Sequence, residues 1–83
     1  MTYSEFQIDL IKIGLSIKDL ASLLGMHPNT ITNYKSKEVL PLNFAIVITL
    51  LAELKINGID PQPIVAQVKR KHFLDISESR NQD

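Results

Sequence analysis

Four polar side chains within five residues, Asn29, Thr30, Thr32 and Asn33, are the best placed in this sequence to do recognition chemistry. They bracket Ile31, which pairs with Tyr34 at helical i, i+3 spacing, so the polar four fall on the opposite, outward face. An asparagine amide can pair bidentately with N6 and N7 of adenine, and a threonine can contact a thymine methyl or a phosphate. The plainer reading is solvated helix surface. Around them, Ser16, Lys18, His27, Lys35, Lys37 and Asn43 bring hydroxyl, ammonium, imidazole and amide groups of the kind that meet phosphate oxygens and fix register without reading sequence. Ser16 and His27 also suit helix N-caps, and isolated lysines commonly only solubilise. No catalytic constellation accompanies them. His27 and His72 lack the spacing of a metal pair, there is no glycine-rich phosphate loop, and Glu53 and Asp60 read as surface and cap. Neither an enzyme nor a cofactor or metal is expected.

The elements that must position these residues can be read in order. Thr2-Tyr3-Ser4-Glu5 has capping-box spacing, and Phe6, Leu10 and Ile13 form the stripe of a first helix stopped by Gly14. Ser16 caps a second helix whose apolar face is Ile17, Leu20, Leu23 and Leu24, and Gly25 ends it. His27-Pro28 opens a third helix, expected over 28–36, proline being suited to the first helical position. Ser36 to Leu40 reads as loop. Leu42 to Lys55 is apolar on nearly every side, as for a helix central to the fold or shared with a partner. It ends near Asn57-Gly58. Asp60-Pro61 starts a fifth helix, with Ile64, Val65 and Val68, expected to reach about Lys71. The prediction is all-α: five helices, a domain over 1–76, and a frayed tail over 77–83.

Composition constrains the rest. Eighty-three residues make one small domain, and 45% hydrophobic residues with no cysteine mean that apolar packing alone must hold it. No run is long and apolar enough to span a bilayer and no secretory leader is evident, so a cytoplasmic protein with no membrane partner is expected. Nine basic and nine acidic residues cancel, which argues against strong non-specific attraction to nucleic acid. Their distribution is uneven. His27 to Lys37 holds two lysines, a histidine and no acid, and Lys69-Arg70-Lys71-His72 is a second basic cluster, read first as a solvated helix end and second as a contact to flanking DNA.

The spacing from Ser16 to Tyr34 carries the marks of a helix-turn-helix unit. Ala21 is small where two helices cross, Gly25 supplies a positive φ, Met26 plugs the space beneath, and Ile31 contacts the core six residues after the glycine. The segment L-A-S-L-L-G-M-H-P-N-T-I-T-N-Y resembles the helix-turn-helix of the phage Cro and cI repressor superfamily, also called XRE-like, and the likeness covers Phe6 to about Leu54. Pro41 resembles the proline after the recognition-helix loop of many members. The Pro41–Leu54 segment, P-L-N-F-A-I-V-I-T-L-L-A-E-L, is similar to that of small mobile-element autoregulators, including anti-CRISPR-associated repressors.

The resemblance implies a compact lambda-repressor-like domain: a homodimeric transcriptional repressor reading a palindromic operator through helix 28–36. Where many members have a base-reading glutamine, this chain has Pro28; where they often have glutamate and glycine, it has Lys35 and Lys37. Base reading therefore shifts to Asn29, Asn33, Thr30 and Thr32. The expected dimer interface is the apolar surplus of Phe44, Val47, Ile48, Leu51, Ile64, Val65 and Val68. No small-molecule ligand is expected. The alternative is a helical protein-interaction module, antitoxin- or adaptor-like, without specific DNA binding.

Overall fold

Local side-chain caps set the starts of four of the five helices. The computed structural model describes residues 1–81, as five α-helices with no strand among the described residues. In α1 (Tyr3–Ile13), Thr2 Oγ1 accepts from the Glu5 amide at 3.2 Å, and the Thr2 N–H donates to Glu5 Oε1 at 2.9 Å. This reciprocal capping box satisfies two donors that a helix start leaves unpaired. The helix α2 (Ile17–Leu24) is capped by Ser16 Oγ, which accepts from the Asp19 amide at 3.1 Å. Then come α3 (Pro28–Asn33), a 3-10 turn (Tyr34–Ser36), α4 (Leu42–Ile56) and α5 (Pro61–Asn81). Asp60 Oδ1 accepts from the Gln62 amide at 3.0 Å and so caps α5.

Packing sorts the helices into two groups that meet in one core. α1 lies against α4, α2 against α3, and α5 rests on both α2 and α4. Phe6, Leu20, Ile31 and Ile48 are fully buried at the junction. An aromatic chain runs through it, with ring centroids 5.4 Å apart for Tyr3–Phe6, 5.3 Å for Phe6–Phe44 and 5.0 Å for Tyr34–Phe44. These are tilted and edge-on contacts, the arrangements that aromatic quadrupoles favour. The Leu40 amide donates to the Met1 carbonyl at 2.9 Å, tying the segment before α4 to the chain's start.

Three sequence expectations need correction. The third helix does not run uniformly over 28–36: α3 ends at Asn33, and the last turn tightens to 3-10, the Lys37 amide donating to Tyr34 O at 3.0 Å. The fifth helix does not stop near Lys71 but continues to Asn81, because no glycine or proline interrupts it after Pro63. Residues 77–81 of the expected frayed tail are thus helical, and 82–83 lie outside the described residues. Finally, Phe44, Ile48 and Leu51 cannot form a dimer interface: they are 6%, 0% and 4% exposed, spent in the core of the single chain. Val65 is partly buried against that core, whereas Val47, Ile64 and Val68 remain exposed.

The capping box gives a pH dependence. The Thr2 backbone N–H, and then the Thr2 hydroxyl, hold the Glu5 carboxyl below its ordinary value of 4.5. A depressed carboxyl stabilises the fold above its unfolded-state value and loses that contribution as pH falls through the folded one. Denaturant melts of wild type and Glu5→Gln should therefore differ at neutral pH and converge as pH falls through the folded-state value of Glu5.

Candidate nucleic-acid interface

The turn between α2 and α3 is built by backbone chemistry that only certain residues allow. Gly25 sits at φ +68°, a left-handed conformation that costs other L-residues about 1–2 kcal/mol. Its amide bonds to Ser22 O at 3.3 Å while the Met26 amide reaches back to Ala21 O at 2.8 Å, the paired bonds of a Schellman ending. Ala21 is fully buried, and Met26 packs partly buried against the core, closing the turn from below. His27 then caps α3: its Nδ1 accepts from the Asn29 amide at 3.1 Å. The tautomer this requires carries its proton on Nε2, leaving a ring donor on an exposed side chain.

Ile31 is the anchor. It is fully buried, and Tyr34 lies half-buried with its ring edge-on to Phe44, so the inner face of α3 is fixed at two points. Asn29, Thr30, Thr32 and Asn33 are consequently all exposed. Their chemistry is not equivalent. Thr32 Oγ1 donates to Asn29 O at 3.2 Å, so its proton is used within the helix and its methyl and lone pairs remain for a ligand. Ser36 Oγ likewise donates to Asn33 O at 2.9 Å. The side-chain amides of Asn29 and Asn33 make no hydrogen bond among the described residues and keep their full donor and acceptor capacity.

The phosphate candidates are exposed as well. Ser16 and Lys18 stand at the start of α2, His27 at the start of α3, and Asn43 in the first turn of α4. Lys35 and Lys37 lie in and just after the 3-10 turn. Ser16 Oγ accepts its capping bond and retains a free O–H to donate. No cluster of three potential metal ligands occurs among the described residues.

Comparison with protein-family models, with curated proteins and with solved structures finds no match. The reading of this surface therefore rests on its own geometry. That geometry separates the second basic cluster. Lys69 Nζ donates to Ser22 O at 3.0 Å, docking α5 onto the end of α2, while Arg70 and Lys71 are exposed. A bond across forty-seven residues leaves no local pattern in a sequence. Ser36 is also new to the site, as the hydroxyl that closes the turn after Asn33; the serine directly after a lysine beyond a short helix was its only sequence cue.

The turn yields a clear expectation. Space is not limiting at Gly25, since an added Cβ meets nothing within 4 Å; only φ is. Gly25→Ala should lower stability by about 1–2 kcal/mol and Gly25→Asn by less, because asparagine tolerates the left-handed region. Thermal denaturation followed by circular dichroism measures both.

Proposed function

We propose that this chain is a sequence-specific DNA-binding regulator, a homodimeric transcriptional repressor that lays α3 and its 3-10 turn in the major groove of a palindromic operator. The observation that carries the reading is the pair of unpartnered amides, Asn29 and Asn33, four residues apart on a helix fixed from beneath by Ile31. Six α-helical residues and three 3-10 residues span roughly 15 Å, which suits a groove about 12 Å wide. Each amide is free to pair bidentately with an adenine. Thr32, its hydroxyl proton already used, offers a methyl to thymine, so A·T pairs are the natural targets. Thr30 can serve either base or phosphate.

Ser16, Lys18, His27, Lys35, Lys37 and Asn43 frame this face as phosphate contacts. The Cro/cI-like resemblance of the Ser16–Tyr34 segment supports the same reading. One short helix reads only a few base pairs, so two copies are needed, with half-sites about 34 Å apart. Net charge of zero implies weak non-specific affinity, so discrimination falls to base contacts. A cytoplasmic location, at the chromosome or a mobile element, follows from this role; among the described residues no helix is long and apolar enough to cross a membrane.

A second reading, a protein-interaction module of the antitoxin or adaptor kind, is favoured by one observation, the apolar outer face of α4. Binding to DNA upstream of the chain's own gene separates the two. Mobility-shift titrations should show Asn29→Ala and Asn33→Ala each weakening specific binding by about 1–3 kcal/mol, roughly five- to 150-fold, with unchanged melting temperature. With Lys18, Lys35 and Lys37 of two copies on phosphates, log affinity should fall with log salt at a slope no steeper than about −5. Absent affinity at low salt, or affinity insensitive to salt, overturns the repressor reading.

A further inference from the structure

Only one side of α4 is used by the fold. Phe44, Ile48, Leu51 and Ala52 are buried, yet on the far side Leu42 is 73% exposed, Ile46 48% and Leu50 59%. At four-residue spacing these three form one stripe, about 12 Å long. From Leu42 to Ala52 there is no charged side chain; the first is Glu53. The outer face of a surface helix ordinarily carries charges. Scattered apolar residues need no explanation, but a continuous uncharged stripe marks a surface that something covers.

We propose that a second copy of this chain covers it, the two α4 helices packing antiparallel about a two-fold axis at Ile46. The stripe reads Leu–Ile–Leu in either direction, so reversal leaves it unchanged. A closed two-fold interface pairs each residue with its counterpart across the axis, so this stripe meets itself with apolar side chains of like size at every level. Ile46 meets its own counterpart, and Leu42 of each copy stands level with the partner's Leu50. The electrostatics agree: the stripe buries no charge, and it gives nucleic acid or a charged peptide nothing to pair with. Asn43 and Thr49 flank it as an uncharged polar rim, and Glu53 lies beyond its end. With Val47 added, the stripe and this rim make up on the order of a tenth of the 6039 Å² surface, the share that a standard interface takes from a small protein. This assigns a surface to the homodimer of the proposed function and rests on that reading for its purpose, but its test needs no DNA.

The chain has no cysteine, so single-cysteine variants report cleanly. Ile46→Cys, next to the axis, should oxidise to a covalent dimer. An equimolar mixture of Leu42→Cys and Leu50→Cys chains should cross-link to each other in preference to themselves. Phe73→Cys, exposed on α5, should not cross-link. In sedimentation at about 100 µM, wild type should be dimeric and Ile46→Glu monomeric with its helical spectrum retained. Ile46→Ala, which adds no charge, should raise the dissociation constant at least about ten-fold. A monomeric wild type, an unchanged dimer in Ile46→Glu, or cross-linking at Phe73 and not at Ile46 overturns the interface. A dimer that cross-links at Ile46 but has no affinity for DNA overturns the repressor reading and upholds the interface.

Discussion

A six-residue helix has no stability of its own. Nucleating one costs more than its few hydrogen bonds return, and isolated helices become marginal even at twice that length. α3 therefore exists because the rest of the molecule holds it, and the principal grip is the burial of Ile31. Truncating such a residue typically costs ~2–5 kcal/mol, against a total stability of about 5–15 kcal/mol for a native domain. The exposed face of α3 is thus coupled to the core chiefly through Ile31, with Tyr34 as the second anchor. The β-branched form of Ile31 limits rotamer freedom, so the angle at which Asn29 and Asn33 are presented is set as firmly as the core itself. Ile31 shares one buried cluster with Phe6 and Phe44, and Tyr34 and Met26 pack against that cluster.

Features written within a few residues were legible in the sequence. The Thr2–Glu5 box, the Ser16, His27 and Asp60 caps and the Gly25 turn all form between residues at most five apart, and each forms as its residue types predict. The outward placement of Asn29, Thr30, Thr32 and Asn33 followed from the i, i+3 spacing of Ile31 and Tyr34. What the sequence could not show was how α4 divides its apolar residues. A helix that is apolar all round has no preferred direction, so Phe44, Ile48 and Leu51 looked as available to a partner as Leu42, Ile46 and Leu50. Only the packing of α1, whose Phe6 seats against Phe44, decides between them. The length of α5 was hidden for a related reason. Its apolar residues after Val68 are Phe73, Leu74 and Ile76, which have no regular spacing because no packed neighbour imposes one.

Hydroxyl groups sharpen the chemistry of the outer face. A threonine on a recognition helix is ambiguous from sequence, since it can donate, accept or present its methyl. The bond from Thr32 to Asn29 O removes the first option, and the same back-bonding at Ser36 closes the 3-10 turn behind Asn33. Such bonds compete slightly with the helical ladder and favour a tightened end, in keeping with the change of helix type at Tyr34. The same bonds leave two free amides and a threonine methyl as the groups the proposed recognition would use. Arginine, the usual reader of guanine, is absent from the segment, so the proposed DNA reading leans toward A·T pairs.

These constraints meet in α4. One side of that helix closes the core that holds α3, and the other side is the uncharged stripe of Leu42, Ile46 and Leu50. Because both sides belong to one rigid fifteen-residue helix, covering the outer stripe would also restrain the inner face on which Phe44 supports Tyr34. Association and fold stability are then linked by mass action: whatever binds only the folded chain stabilises it in proportion to its concentration. Under the proposed function, the number of copies is then the variable that sets how much of the paired state is present. A rise in the number of copies would populate the paired state, fix two recognition helices at a set separation, and convert a few base contacts per copy into a site long enough to be specific.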